Sequence, residues 1–284
     1  MHQIAILTDS VACLPDELRR EYSIHVIPLH VNFGTESYLH GVEMSLDQFY
    51  RRLGEAKRLP TTSAPSVGEY LAFYRQMVEE GAEAIICIPY GRELGMGYSA
   101  ALTAAQEMEE LDIRVVDSRT SLMAQGFLAL EAAKAAVSGA TVQEAVDRVR
   151  KLIPRVHVFV TMDTLEYLRR GGRIGDAQAL LGSVLQIKPL IQLSADKGRV
   201  EPLGRSITRA RALRDLVDHM ARVVGERPVH VAVQQGAARQ EEVESLTHGI
   251  SERFDCRELY QTGITPVIGT HTGPGTLALS FWAE

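Results

Sequence analysis

The chain alternates short, continuously apolar runs with stretches of helical periodicity through its first half. Residues 4–7 ("IAIL"), 84–88 ("AIICI") and 113–117 ("IRVVD") read as strands covered on both faces. Helical patterns lie between them. Residues 14–22 place Pro15 in a first turn, and 45–53 open on a Ser45…Gln48 capping box. Residues 69–81 put Tyr70, Tyr74, Met77 and Val78 on one face and stop at Gly81, and 98–111 form a further helix. Residues 24–33 read as a strand interrupted by Pro28. Helices over 120–138 and 141–152 follow, the second opened by a Thr141…Glu144 capping box. Strands alternating with helices in this way predict a parallel sheet covered by helices.

The pattern then changes. Residues 156–162 form a strand, and 188–207 read as a hairpin turning at Asp196-Lys197-Gly198. A long helix over 208–225, a strand at 229–234, another helix and a closing apolar run at 276–282 complete the chain. The expected fold is α/β with two domains. Residues 1–153 would be an N-terminal parallel-sheet domain and 154–284 a C-terminal mixed-sheet domain, with a ligand between them.

Composition narrows the possible functions. The 284 residues carry 30 basic and 36 acidic side chains, a net charge of −6 that disfavours non-specific nucleic-acid binding. Three scattered cysteines suit neither a disulfide framework nor a zinc site, so no metal and a reduced, cytoplasmic setting are expected. The first ten residues hold an apolar run of only four, stopped by Asp9, and are expected to be no signal peptide. No apolar run reaches the ~18 residues of a membrane span. A monomer is the default expectation.

Five stretches carry candidate chemistry. In "LPTTSAPS" (59–66), Ser66 and Glu69 make a capping box, which leaves Thr61, Thr62 and Ser63 free of a capping task. Pro60 and Pro65 stiffen this loop, and its hydroxyls suit a small anion. Asp9 and Ser10 end the first strand, where open parallel sheets collect ligands, although either residue equally suits a helix cap. "YGRELGMG" (90–97) is glycine-rich but matches no nucleotide-binding pattern. "LRRGGRIG" (168–175) offers arginine forks beside a tight turn, and "IGTHTGPG" (268–275) offers His271 among threonines and glycines.

Taken in order, "TDS", "TTSAPS", "RRGGRI" and "IGTHTGPG" resemble the landmarks of the DegV family of bacterial fatty-acid-binding proteins, and they span nearly the whole chain. The resemblance implies two α/β domains holding a long-chain fatty acid. It also implies a carrier, not an enzyme, that presents the acid to a separate ATP-dependent fatty acid kinase. The acyl-phosphate made there would feed phospholipid synthesis. No cofactor is implied beyond the bound acid.

Carried over by position, the resemblance assigns head-group binding to Thr61, Thr62, Ser63, Gly95, Arg170 and His271. Asp9, Ser10, Thr272 and Gly273 would support the site, and Arg173 would contact the kinase. Relatives usually carry a Ser-Gly-Thr-Tyr-like stretch after the strand at 84–88; here Leu94 and Met96 replace its hydroxyls, and Ile207 stands where relatives often have arginine. Two other readings stay open from the residues alone. One is a small hydrolase or phosphotransferase using Asp9, Ser10 and His271. The other is a binder of a different apolar acid.

Overall fold

The computed structural model describes residues 3–181 and 187–284. Its first half runs β1 (Ile4–Asp9), a 3-10 turn at Ser10–Ala12, α1 (Asp16–Glu21), β2 (His25–Ile27), β3 (His30–Phe33) and β4 (Glu36–Leu39). It continues through α2 (Leu46–Glu55), β5 (Thr61–Ser63), α3 (Val67–Glu79), β6 (Ala84–Ile88), α4 (Gly97–Gln106), β7 (Asp112–Val115), α5 (Leu122–Val137) and α6 (Val142–Leu152). The second half runs β8 (His157–Thr161), α7 (Glu166–Arg170), β9 (Lys188–Ser194), β10 (Arg199–Ser206) and α8 (Arg209–Val224). Then come β11 (Val229–Gly236), α9 (Gln240–Ser251), β12 (Cys256–Gly263), α10 (Pro266–Thr272) and β13 (Thr276–Ala283).

Strands β2-β1-β6-β7 form a fully parallel sheet in the first half. A six-stranded sheet, β10-β9-β8-β13-β11-β12, occupies the second half, antiparallel except where β11 pairs β12. This is the α/β arrangement that the hydrophobic pattern predicts. All three expected capping boxes, at Ser45, Ser66 and Thr141, are formed. The expected hairpin turns between Ser194 and Arg199.

Two local expectations change. Residues 24–33 are two strands in different sheets: β2 joins the parallel sheet, whereas β3 pairs β4 and β5. Pro28 lies at the switch, where a residue without an N–H cannot extend the ladder. Thr61–Ser63 is likewise no free loop. It is an edge strand registered against β3, with Val31 opposite Thr62.

Helix α5 joins the halves. It is apolar around its circumference and buried from Leu122 to Leu130, the signature of a helix covered on all sides. Gln125 donates to Thr8 Oγ1 (3.0 Å) and to the Ile88 carbonyl (3.2 Å) in the parallel sheet. The Met123 amide donates to Gln234 Oε1 (3.2 Å) in the six-stranded sheet. A single apolar cluster therefore runs from Ile6 and Ile88 through α5 to Val158, Leu193 and Ala278.

Candidate functional site

Strand periodicity builds one wall of a cavity. Val158 and Val160 point to one face of β8, and Phe159 to the other, where it packs with Leu190 and Leu216. Pairing carries the first face across the sheet: Val158 sits opposite Leu193, Leu193 opposite Val200, and Val160 opposite Ile191. These five side chains border a cavity of about 550 Å³. Val11, Leu29, Tyr90 and Leu122 close it from the N-terminal half.

The cavity's polar groups meet where β5, α10 and the turn after α7 converge. Thr62 Oγ1 and His271 Nε2 are 2.9 Å apart. Burial first, and the Arg173 charge second, push the His271 pKa down to about 4. The ring is therefore neutral at neutral pH, with one N–H and one lone pair to offer. Its Nδ1 is buried without a hydrogen-bond partner among the described residues. The ring fits only because Gly171 lacks a side chain: a Cβ there would stand 2.3 Å from Nδ1.

Arg173 is positioned by carbonyl oxygens. Its Nε donates to Leu94 O (3.2 Å) and its Nη1 to Gly171 O (2.8 Å). The Arg173 amide closes the turn on Leu168 O (2.9 Å). The guanidinium is thereby held over the cavity beside His271. A neutral imidazole, a hydroxyl and a guanidinium together form a donor set for an anionic head group, and the apolar sheet face suits a hydrocarbon body.

The candidate residues divide around this cavity. Thr62, Ser63, Gly95, Arg173, His271 and Thr272 border it, as do Leu94 and Met96. Thr61 does not; it stands at the far end of β5, opposite Asn32, away from the Ala64–Ser66 stretch that continues the cavity wall. Arg170 also lies outside; it is exposed and paired with Glu166 at 2.5 Å. The Thr272 hydroxyl donates back to Ile268 O (3.1 Å), which occupies it within α10. Gly273 lies outside the cavity and packs against the Tyr167 ring, joining α10 to α7. At Gly95 an added Cβ would meet the Tyr90 hydroxyl at 2.7 Å, and that hydroxyl accepts from the Gly97 amide (3.1 Å).

Asp9 and Ser10 are framework groups. Asp9 accepts from the Val11 amide (2.9 Å) and the Tyr90 amide (2.8 Å), so one carboxylate places two residues of the cavity wall. Burial raises its pKa to about 6 against those two bonds. The Ser10 hydroxyl accepts from the Leu29 amide (3.0 Å). Neither residue borders the cavity that holds His271. The three residues of the hydrolase reading therefore do not line one cavity.

Tyr90, Leu122 and the β8–β10 face were not singled out from the sequence. The alternation of "VHVFV" was the available signal for the sheet face, but core and cavity wall share that pattern. Among the described residues no cluster of three or more His, Cys, Asp or Glu could hold a metal ion. No helix among them is long and apolar enough to cross a membrane.

Fold and site define an α/β protein with an apolar cavity capped by a compact polar cluster. The profile of the DegV family, described as "Uncharacterised protein, DegV family", matches residues 3–284, and the chain belongs to that family. It is 39% identical over 277 residues to a DegV domain-containing protein of Streptomyces coelicolor, covering 97% of each chain. It is 33% identical to protein DegV of Bacillus subtilis, covering 97% of this chain and 98% of that one. Among solved structures, a fatty-acid-binding DegV family protein from Thermus thermophilus superposes with a TM-score of 0.93 at 28% identity, covering 99% of this chain and 100% of the other. Bacillus subtilis DegV, a fatty acid binding protein, superposes with a TM-score of 0.90 at 31% identity, covering both chains completely.

Proposed function

We propose that this chain binds a long-chain fatty acid in the cavity against its six-stranded sheet, as a carrier and not as a catalyst. The observation that carries the reading is the joining of one apolar sheet face to one polar cluster in a single cavity of about 550 Å³. That volume lies within the range of small-molecule sites. A tail of about sixteen carbons, at ~0.8 kcal/mol per methylene, contributes on the order of ten kcal/mol before association costs. Affinity then comes mainly from Val158, Val160, Ile191, Leu193 and Val200, and head-group orientation from Thr62, His271 and Arg173. The fatty-acid-binding relatives described above support the same ligand class.

In this reading the two arginines exchange the roles implied by family resemblance. Arg173 faces the carboxylate. Arg170, exposed beside Arg169, offers a surface charge to a fatty acid kinase that receives the presented carboxylate. Cytoplasmic residence belongs to the same proposal and agrees with three cysteines present as free thiols.

Mass spectrometry of denatured protein purified from bacteria tests the ligand. A long-chain fatty acid released in near-stoichiometric amount is expected. Protein that stays empty and does not displace a fluorescent acyl probe would overturn the proposal. Presentation is tested with a fatty acid kinase and ATP: acyl-phosphate forms from the bound acid, and Arg170→Glu slows it without altering acid affinity.

A further inference from the structure

Ser121 borders the apolar cavity and is only 6% exposed, and its side chain has no hydrogen-bond partner among the described residues. It stands at the N-cap of α5, where a serine hydroxyl ordinarily accepts from a first-turn amide, yet it makes no such bond. Nor is its oxygen among the unpaired atoms that packing seals off, so a molecule in the cavity can reach it. The other hydroxyls on the cavity wall, of Thr62, Ser63, Ser66, Tyr90 and Thr272, are each hydrogen-bonded within the protein. Buried hydroxyls in folded proteins are almost always paired, so Ser121 points to a partner that the ligand carries.

Pairing in the six-stranded sheet fixes where along an acyl chain Ser121 acts. The Met123 amide and the Ser280 hydroxyl share Gln234 Oε1 (3.2 and 2.6 Å), and Ser280 lies opposite Val158. The Arg119 guanidinium donates to the Asp196 carbonyl in the hairpin turn beyond Leu193. Ser121 therefore stands by the Val158 end of β8. The head-group cluster stands by the other end: Thr276 Oγ1 donates to Thr272 O (3.1 Å), and Leu277 lies opposite Thr161. Three residues of strand span about 10 Å. At ~1.2 Å per bond of an extended chain, that places Ser121 roughly eight bonds from the carboxylate.

The surroundings indicate the chemistry of the partner. Arg173 is the only charged side chain among the described residues that line the cavity, and it belongs to the head-group cluster, so the group at Ser121 is neutral. Helix α5 has no acidic residue in its first turn, and its positive end favours an oxygen lone pair. The Ser121 hydroxyl can donate to such an oxygen and accept from its hydrogen. We propose that the cavity recognises long-chain acids that carry a hydroxyl near mid-chain, with Ser121 binding that hydroxyl. The inference rests on the fatty-acid reading of the cavity and adds a second polar contact to it.

Displacement of a fluorescent acyl probe from the full chain by stearate, 10-hydroxystearate and 2-hydroxystearate tests it. The wild type should bind 10-hydroxystearate within about three-fold of stearate. Ser121→Ala breaks no cap bond and should weaken 10-hydroxystearate roughly five- to fifty-fold, because the ligand hydroxyl is then buried unpaired. Stearate and 2-hydroxystearate should change less than about two-fold in the same variant. A crystal structure with 10-hydroxystearate should place its hydroxyl within hydrogen-bond distance of Ser121 Oγ. Rejection of 10-hydroxystearate by a wild type that binds stearate, equal losses for all three acids in Ser121→Ala, or a carboxylate at Ser121 would each overturn this inference alone. A wild type that binds no stearate would overturn the fatty-acid reading as well.

Discussion

Thr62 on β5 and His271 on α10 are 209 residues apart in sequence and 2.9 Å apart in space. Their hydrogen bond joins the edge of the small antiparallel sheet to the helix that connects β12 and β13 of the six-stranded sheet. Thr62→Val leaves both nitrogens of the His271 ring unpartnered. It should lower stability by about 1 kcal/mol, read from urea unfolding. Fatty-acid affinity should fall only a few-fold, because the tail supplies most of it. A larger fall than that would assign the head group a greater share of binding than the cavity wall.

Arg173 and Arg170 should separate cleanly in binding assays. Arg173→Met should weaken palmitate ~10- to 100-fold, the effect of losing a charge-assisted contact, while leaving hexadecanol binding nearly unchanged. Arg170→Met should change neither, because that side chain lies outside the cavity. Equal losses in the two variants would contradict the exchange of roles.

Gly171 permits the close approach of α7 to the His271 ring. In Gly171→Ala the added carbon, 2.3 Å from Nδ1, must displace the imidazole. Palmitate binding and the His271 NMR resonances should both shift. Gly249→Ala is the control: it lies in α9 with nothing within 4 Å of its Cβ position, so a neutral to slightly stabilising effect is expected.

The length of the hydrocarbon site can be read by filling it. Val160 lies opposite Ile191 on the cavity face. Val160→Trp should weaken palmitate at least about ten-fold, because several methylenes lose their burial. Octanoate, which needs less of the wall, should be affected much less in the same displacement assay.

Stability should depend on pH through buried groups of opposite sign. His271 drops from 6.5 to about 4, so its contribution is complete above pH 6.5 and is lost as pH falls towards 4. Asp9 rises from 3.8 to about 6, so its contribution is complete below 3.8 and is lost as pH rises towards 6. Thermal melts between pH 4 and 6.5 should show a shallower rise of Tm with pH in His271→Gln than in wild type. Asp9→Asn should have a lower Tm and a steeper rise, because the opposing group is gone.

What the linear chain declares is what local chemistry decides. The capping boxes at Ser45, Ser66 and Thr141 each join residues three apart, so they could be read directly and are formed. The parallel sheet and the Asp196–Gly198 hairpin turn were legible for the same reason: strand periodicity and turn chemistry act over a few residues. The motif order pointed to the family because several short stretches recur together along the whole chain.

Long-range packing decided the rest. No local rule pairs β5 with β3, so Thr61 and Thr62 are alike in sequence but differ in access to the cavity. Arg170 and Arg173 share one basic motif, yet the turn sends one to solvent and holds the other against Leu94 O. Val158 and Val160 repeat the alternation of any half-buried strand, and only the approach of Val11, Leu29, Tyr90 and Leu122 from the first half makes them a cavity wall. The "TTS" triplet is thus an edge strand whose middle hydroxyl reaches the site, because a side chain's neighbours are set by pairing and packing across the fold.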